Sequence, residues 1–341
     1  MKHIRNFALL LVTLIISLVM ITGCSGQKEA KEEEAPAGLS DKVSIACMNG
    51  PTGMGLVDLM DNEDYDIKVY QAPTDALPDI IKGEVDLACV PSNLAAVLYN
   101  KTEGKIVSVS PMVLGVLHIL GSGRSAEIKT VEELKGQTIV SSGQGGTPEY
   151  ALQAVLKAHG LEMGKDVKVE WLASHADVNT RLLKTAGTIA MVPEPFVSVA
   201  LTKGGDNVTD LFDMNSLWYD ATSQEFPMGV LIASKDFVEN KTDDLNIVLN
   251  DIKASIDDVN TASDEVAQKI VDKGFLGDVE IAKKAIPNCN LFLYTNDDGG
   301  DASFDKGALI MQTFNETMFK VTPLAVGGKL PDDDLYYKPE K

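Results

Sequence analysis

The chain has 341 residues, 45% apolar and 23% charged, and its 30 basic and 50 acidic side chains give a net charge of −20. At about 150 residues per domain the length suggests two domains, and the apolar content excludes whole-chain disorder. An aromatic content of 6% and the acidic balance argue against nucleic-acid and anionic-lipid surfaces as partners. The four cysteines match neither zinc-ribbon nor redox C-x-x-C spacing.

The elements begin with a short basic start, Lys2 and Arg5, followed by an apolar run from Phe7 to Ile21 broken only by Thr13 and Ser17. That length fits a secretory h-region better than a membrane span. The run ends in Ile21-Thr22-Gly23-Cys24, which resembles the bacterial lipobox and implies that residues 1–23 are a lipoprotein signal peptide, with lipidation of Cys24 after cleavage. The alternative is an ordinary signal peptide, or a short anchor with an incidental cysteine. Cleavage leaves 28 basic and 50 acidic residues, a net charge of −22. Residues 24–39, rich in Glu, Lys, Ala, Gly and Pro without apolar periodicity, read as a disordered tether. The expected location is the extracytoplasmic face of the cell membrane, held there by lipid.

From residue 40 short apolar runs alternate with helical stretches. VSIACM (43–48) reads as a buried strand, followed by the turn Asn49-Gly50-Pro51-Thr52-Gly53-Met54-Gly55 and a helix from about Leu56. A second strand (67–72), a short helix (76–83) and a third strand (85–90) stopped by Pro91 come next, then a helix to about Asn100. Further strands fill the stretch from Lys105 to Ser122. The pattern restarts with a strand at Thr138–Ser141, a Gly-rich turn and a long helix. KVEWLA, DVNTRLLKT and TIAMV then give strand, helix and strand, the last halted by Pro193. A helix to about Thr202 and a strand from Met228 follow, and residues 243–320 are mostly helical.

The restart is a duplication. At a shift of 102 positions Asp75 falls on Asp177, Ile80-Ile81-Lys82 on Leu182-Leu183-Lys184, and Leu87-Ala88-Cys89-Val90-Pro91 on Ile189-Ala190-Met191-Val192-Pro193, with no gap. The period is too long for a solenoid. It predicts an α/β fold of two similar lobes, each a mainly parallel sheet flanked by helices, joined by a two-crossing hinge. The crossings are placed near Leu120–Ser125 and Gln224–Gly229, so lobe 1 comprises residues 40–121 and 228–341 and lobe 2 residues 122–227. In open parallel sheets ligands bind beyond the carboxyl ends of the strands, so two facing lobes enclose one small molecule.

The lipobox, the Asn-Gly-Pro-Thr-Gly turn, Leu-Lys-Gly-Gln-Thr-Ile-Val opening the second lobe and Val-Pro-Glu-Pro-Phe at 192–196 together resemble the substrate-binding lipoproteins of ABC importers. The nearest group is similar to those for alkanesulfonates, taurine, nitrate and thiamine-pyrimidine precursors, with a periplasmic-binding-protein type II fold. The resemblance implies a monomeric, non-enzymatic protein with no cofactor. It captures a small organic solute, such as a planar nitrogen heterocycle or a sulfonate, and delivers it to a permease with its ATPase. An enzyme on the same scaffold, a lyase like chorismate dehydratase, is the alternative. The cysteine-rich motif of the pyrimidine-synthesising relatives is not found.

Candidate ligand contacts follow from strand-end position. Asn49, Gly50, Thr52 and Gly53 follow the first strand, and Gln144, Gly145, Gly146 and Thr147 occupy the matching place in lobe 2; each run is either a contact or a plain turn. Ser92 and Asn93 read as caps or contacts, and Glu194 as a stabiliser of its helix's first turn or an acceptor for the ligand. Trp218, with Tyr219 and Phe226, either stacks on a planar ring or packs under the hinge. His118 reads as a core or hinge histidine, Asp177 as an N-cap, and His175 as a residue able to face the cleft. Arg124 sits at the proposed hinge and Arg181 on a helix surface. Their scarcity tilts the reading toward a neutral or amine-bearing solute. Cys47 and Cys89 read as buried free thiols. Scattered histidines and the Asp332-Asp333-Asp334 turn give no metal motif.

Overall fold

The computed structural model describes residues 38–295 and 303–339. The apolar leader, Cys24 and nearly all of the tether lie outside these residues. No helix among the described residues is long and apolar enough to cross a membrane.

Among the described residues ten strands form two five-stranded sheets. The first has the order β2 (Tyr65–Tyr70), β1 (Val43–Met48), β3 (Leu87–Pro91), β10 (Pro227–Ser234), β4 (Ile106–Leu114). The second has the order β7 (Lys168–Trp171), β6 (Thr138–Ser141), β8 (Ile189–Pro193), β5 (Leu117–Ser122), β9 (Val208–Asp213). β1 pairs in parallel with β2 and β3, whereas β10 runs antiparallel to both β3 and β4. In the second sheet β6 pairs in parallel with β7 and β8, and β5 runs against β8 and β9. The sheets are therefore mixed. In each, four strands share a direction and the reversed one is the strand donated from the other half of the sequence.

The strands form where the sequence is apolar on both faces. β1, β3 and β8 are almost wholly buried, as expected for inner strands with helices on both sides. Pro111 interrupts β4, which is tolerated because β4 is an edge strand whose pairing with β10 already shifts register. The duplication is visible element by element. α2 (Pro73–Lys82) and α5 (His175–Lys184) coincide at the 102-residue shift, as do β3 and β8. Pro73 sits at the start of α2, and Gly83 ends it in the left-handed region at φ 73°. α5 is capped by Ser174 rather than by Asp177: the Ser174 Oγ accepts from the Asp177 N–H at 3.1 Å and donates to the Asp177 carboxylate at 2.7 Å. Asp177 thus serves as the reciprocal partner three residues into the motif.

Three apolar clusters hold the body together. α9 (Thr242–Asn260), α10 (Asp264–Asp272) and α11 (Val279–Ala285) cover one face of the first sheet. A smaller cluster covers one face of the second. The third runs through the remaining faces of both sheets and includes Trp218 and Phe226 together with Phe314 of α12 (Phe304–Val321).

Two expectations change. The chain leaves the first sheet at Gly115–Val116, not at Leu120–Ser125, because β5 from Leu117 onward is hydrogen-bonded between β8 and β9. The Gly-Ser-Gly segment suggests looseness, but a Cβ on Gly121 would lie 2.6 Å from the Ser125 carbonyl oxygen, so that glycine serves a close backbone approach. A long helix from Leu56 is also absent; α1 spans only Pro51–Met54 and a 3₁₀ turn Leu59–Asp61 follows. Cys47, Cys89 and Cys289 are buried free thiols, and burial pushes Cys47 up to about 12.

Candidate functional site

The carboxyl ends of the inner strands of both sheets converge on one cavity of about 180 Å³. From the first sheet come the end of β1 with Asn49, Gly50 and Thr52, and the proline that ends β3, Pro91. From the second come Thr147 and Pro148 at the start of α4 (Thr147–Ala158), His175 at the start of α5, and Pro193 to Phe196. Val116 and Leu117, with Met228 and Gly229 of β10, form the floor between them.

Five predicted residues therefore line the cavity: Asn49, Gly50, Thr52, Thr147 and Glu194. The Asn49 amide donates to the Gln71 side chain at 3.0 Å, which fixes its orientation. The others lie elsewhere. Gly53 is buried under the turn, where a Cβ would fall 2.5 Å from the Phe275 ring and 2.7 Å from the Met48 carbonyl oxygen. Ser92 and Asn93 sit behind Pro91 at the start of α3 (Ser92–Lys101). Asn93 donates to the Ala325 carbonyl at 3.2 Å and accepts from the Thr147 hydroxyl at 3.0 Å, linking the two sheets' helices. Gln144 and Gly145 are exposed, and with Gly146 they stand outside the cavity wall. The glycines at 143 and 145 have positive φ values of 83° and 78°, which glycine adopts without strain. Trp218 is fully buried, stacked on Phe226 at 4.8 Å and tilted to Phe314 at 5.9 Å, with its indole N–H donated to the Glu225 carbonyl. Of its two readings, packing is the one that these contacts describe.

The charges at the cavity are few. Among the described residues no Lys or Arg lines it. Arg124 is exposed, and Arg181 pairs with Glu170 on the surface at 3.1 Å. Glu194, 2% exposed, follows β8 and precedes a cis peptide to Pro195. Its carboxylate accepts from the Ser198 N–H at 3.1 Å and the Ser198 hydroxyl at 3.0 Å, which caps α6 (Phe196–Gly204). Burial raises its pKa; the Ser198 bonds and the charge of His118 act against that, and Asp210 adds to it. His118 itself lies on β5 with Nδ1 2.8 Å from Asp210. Burial opposes its charged form, but the Asp210 hydrogen bond and the charges of Asp210, Asp213 and Glu194 outweigh it and raise its pKa.

His175, which the sequence offers as a residue able to face the cleft, lines the cavity. The duplication carries the same signal: at the 102-residue shift it pairs with Pro73, and both line the cavity. Its Nδ1 is 2.6 Å from the Ser142 hydroxyl, and its ring stands 5.4 Å from that of Phe196. Burial lowers its pKa to about 4, so the ring is neutral at pH 7. The unfolded chain takes up this proton near pH 6.5, before the folded chain does. Stability attributable to His175 is therefore intact above about pH 6.5, falls as the pH drops, and levels off near its folded value. Thermal melts of His175→Asn are expected to lose less of Tm between pH 6.5 and 4 than those of the parent protein; equal acid slopes would contradict the buried neutral ring. Among the described residues no group of three His, Cys, Asp or Glu side chains is placed to hold a metal ion.

The fold has many solved counterparts. An ABC transporter structure from Parabacteroides distasonis superposes with a TM-score of 0.71 at 21% identity, covering 88% of this chain and 100% of that one. The periplasmic aliphatic sulphonate binding protein SsuA from Escherichia coli gives 0.67 at 17% identity, covering 88% and 92%. The periplasmic nitrate-binding protein NrtA from Synechocystis PCC 6803 gives 0.62 at 13% identity, covering 88% of each chain. At these identities the likeness is one of fold, the two-lobed type II binding-protein architecture. No curated protein matches the chain in sequence. A family model described as NMT1/THI5 like matches residues 63–265, more than half of the chain, and on that match the chain belongs to the NMT1/THI5-like family.

Proposed function

We propose that this protein is an extracytoplasmic solute-binding lipoprotein of an ABC importer. It captures one small organic solute in the interlobe cavity and passes it, unchanged, to a permease. The observation that carries the reading is the convergence of both sheets' strand ends on one cavity, with wall residues from each half of the duplication. A cavity of about 150 Å³ is known to hold benzene, so about 180 Å³ suits a single substituted ring or a short-chain solute. The two lobes would move about Gly115–Val116 and the segment before β10. The leader ending at Cys24 supports a lipid anchor on the outer face of the membrane.

Native mass spectrometry of the full chain, expressed in a bacterial host and extracted in detergent, tests the reading. The expected species begins at a lipid-bearing Cys24 and releases one small molecule of unaltered mass on activation. A chain that carries no solute, even after incubation with a metabolite extract, would contradict the binding role. A solute released with a changed mass would contradict passive carriage.

A further inference from the structure

A solute held between two lobes leaves only when they part, so it matters where the chain can turn, a question that rests on the proposed binding role. In the first crossing the free backbone narrows to one residue. Leu114 belongs to the first sheet: it stands opposite Pro227 of β10, and its N–H donates to the Asn290 carbonyl at 3.1 Å. Val116 belongs to the second: its carbonyl accepts from the Glu194 N–H at 2.8 Å, and Leu117 after it pairs with Pro193. Gly115 is buried between them, its carbonyl accepting from the Asn290 side chain.

α7 (Met214–Thr222) stands against both crossings. Asn215 and Trp218 are three residues apart and share one face of it. Trp218 donates to the Glu225 carbonyl and stacks on Phe226, just before β10. Asn215 lies on the first crossing: a Cβ on Gly115 would fall 2.4 Å from the Asn215 Cβ and 2.4 Å from its Oδ1. The Asn215 N–H is held by the Asp213 carboxylate at 2.8 Å, and Asp213 pairs with His118 in the second sheet. α7 therefore travels with the second lobe. Gly115 is not at positive φ, so its dihedrals do not require glycine; the space beside Asn215 does. The Asn93–Thr147 bond shows the lobes drawn together while this contact is made.

We propose that Gly115 is the pivot of the first crossing and that Asn215 is the stop against which it closes. The bare backbone at 115 lets α7 seat on the crossing as the lobes come together. A side chain at 115 meets Asn215 first and holds the lobes apart.

The test is double electron–electron resonance on the full chain in detergent, with spin labels carried by unnatural amino acids at Thr74 and Ala176. These exposed residues are counterparts in the duplication, each one position after a wall residue, Pro73 or His175, so a parting of the lobes lengthens the distance between them. Gly115→Ala is expected to shift the distance distribution to longer values. Adding Asn215→Gly, which keeps the N–H held by Asp213, is expected to return it to that of the parent protein. A Gly115→Ala distribution equal to the parent's would overturn the pivot. A double variant that stays at the longer distance would overturn Asn215 as the stop. Should Gly115→Ala fail to fold, the double variant decides: folding with the parent's distribution supports the stop, and failure to fold overturns it. No outcome requires a bound solute, so the retained-solute measurement above tests the binding role separately.

Discussion

Replacing Trp218 with Ala is expected to cost about 3–5 kcal/mol of folding free energy, the range for removing a large buried aromatic. The indole is fully buried, stacks on Phe226, leans on Phe314 and donates to the Glu225 carbonyl. Its cluster reaches both sheets, so the cavity left by truncation has little freedom to collapse. Urea melts of the parent and variant measure the loss. Trp218→Phe is expected to recover part of it, since the stacking survives and only the outer ring and its N–H are removed. Solute affinity in the folded fraction is expected to change little, because the indole lies outside the cavity wall. Lost binding with an unchanged melt would instead place the ring against the ligand.

Asn93→Ala is expected to act on stability and on the relation of the two lobes together. The Asn93 side chain is 1% exposed and joins α3 of the first lobe to the Thr147 hydroxyl of the second and to the Ala325 carbonyl after α12. Truncation strands both partners, at about 1–3 kcal/mol for each buried group left unsatisfied, so a loss of about 2–6 kcal/mol is expected. Thr147→Val removes the other side of the interlobe bond. The double variant is expected to be less destabilised than the sum of the singles by about 0.5–3 kcal/mol, the usual coupling of residues in contact. Denaturant melts of the four proteins give that coupling, and small-angle scattering is expected to show a larger radius of gyration for the variants. Additive losses with unchanged scattering would mean that the bond does not hold the lobes together.

Much of this architecture is legible in the sequence because the inner strands are apolar on both faces and end in proline. Leu87–Pro91 and Ile189–Pro193 declare themselves and each other by their shared spacing. The duplication then places the strand ends, and with them Asn49, Thr52, Thr147 and Glu194, in one cavity. What the sequence leaves open has one cause: composition does not reveal pairing. Gly121-Ser122-Gly123 reads as a flexible crossing, yet the backbone of Gly121 and Ser122 is committed to a ladder. Gly145 and Gly146 read as ligand contacts or as a plain turn, and Gly145 takes a positive φ there. Trp218 is the plainest case, since an aromatic near a proline is equally compatible with a cleft and with a core until its neighbours Phe226 and Phe314 are known. His175 shows the converse: the sequence offers it as able to face the cleft, and its position one repeat after Pro73 supports that reading.

The most direct test of the central claim is a crystal structure of the protein with the solute that it carries on purification. The account predicts density for one small molecule enclosed between the Asn49–Thr52 turn and the His175 to Phe196 wall. A solute bound outside that space, or lobes that touch the ligand from one side only, would contradict it.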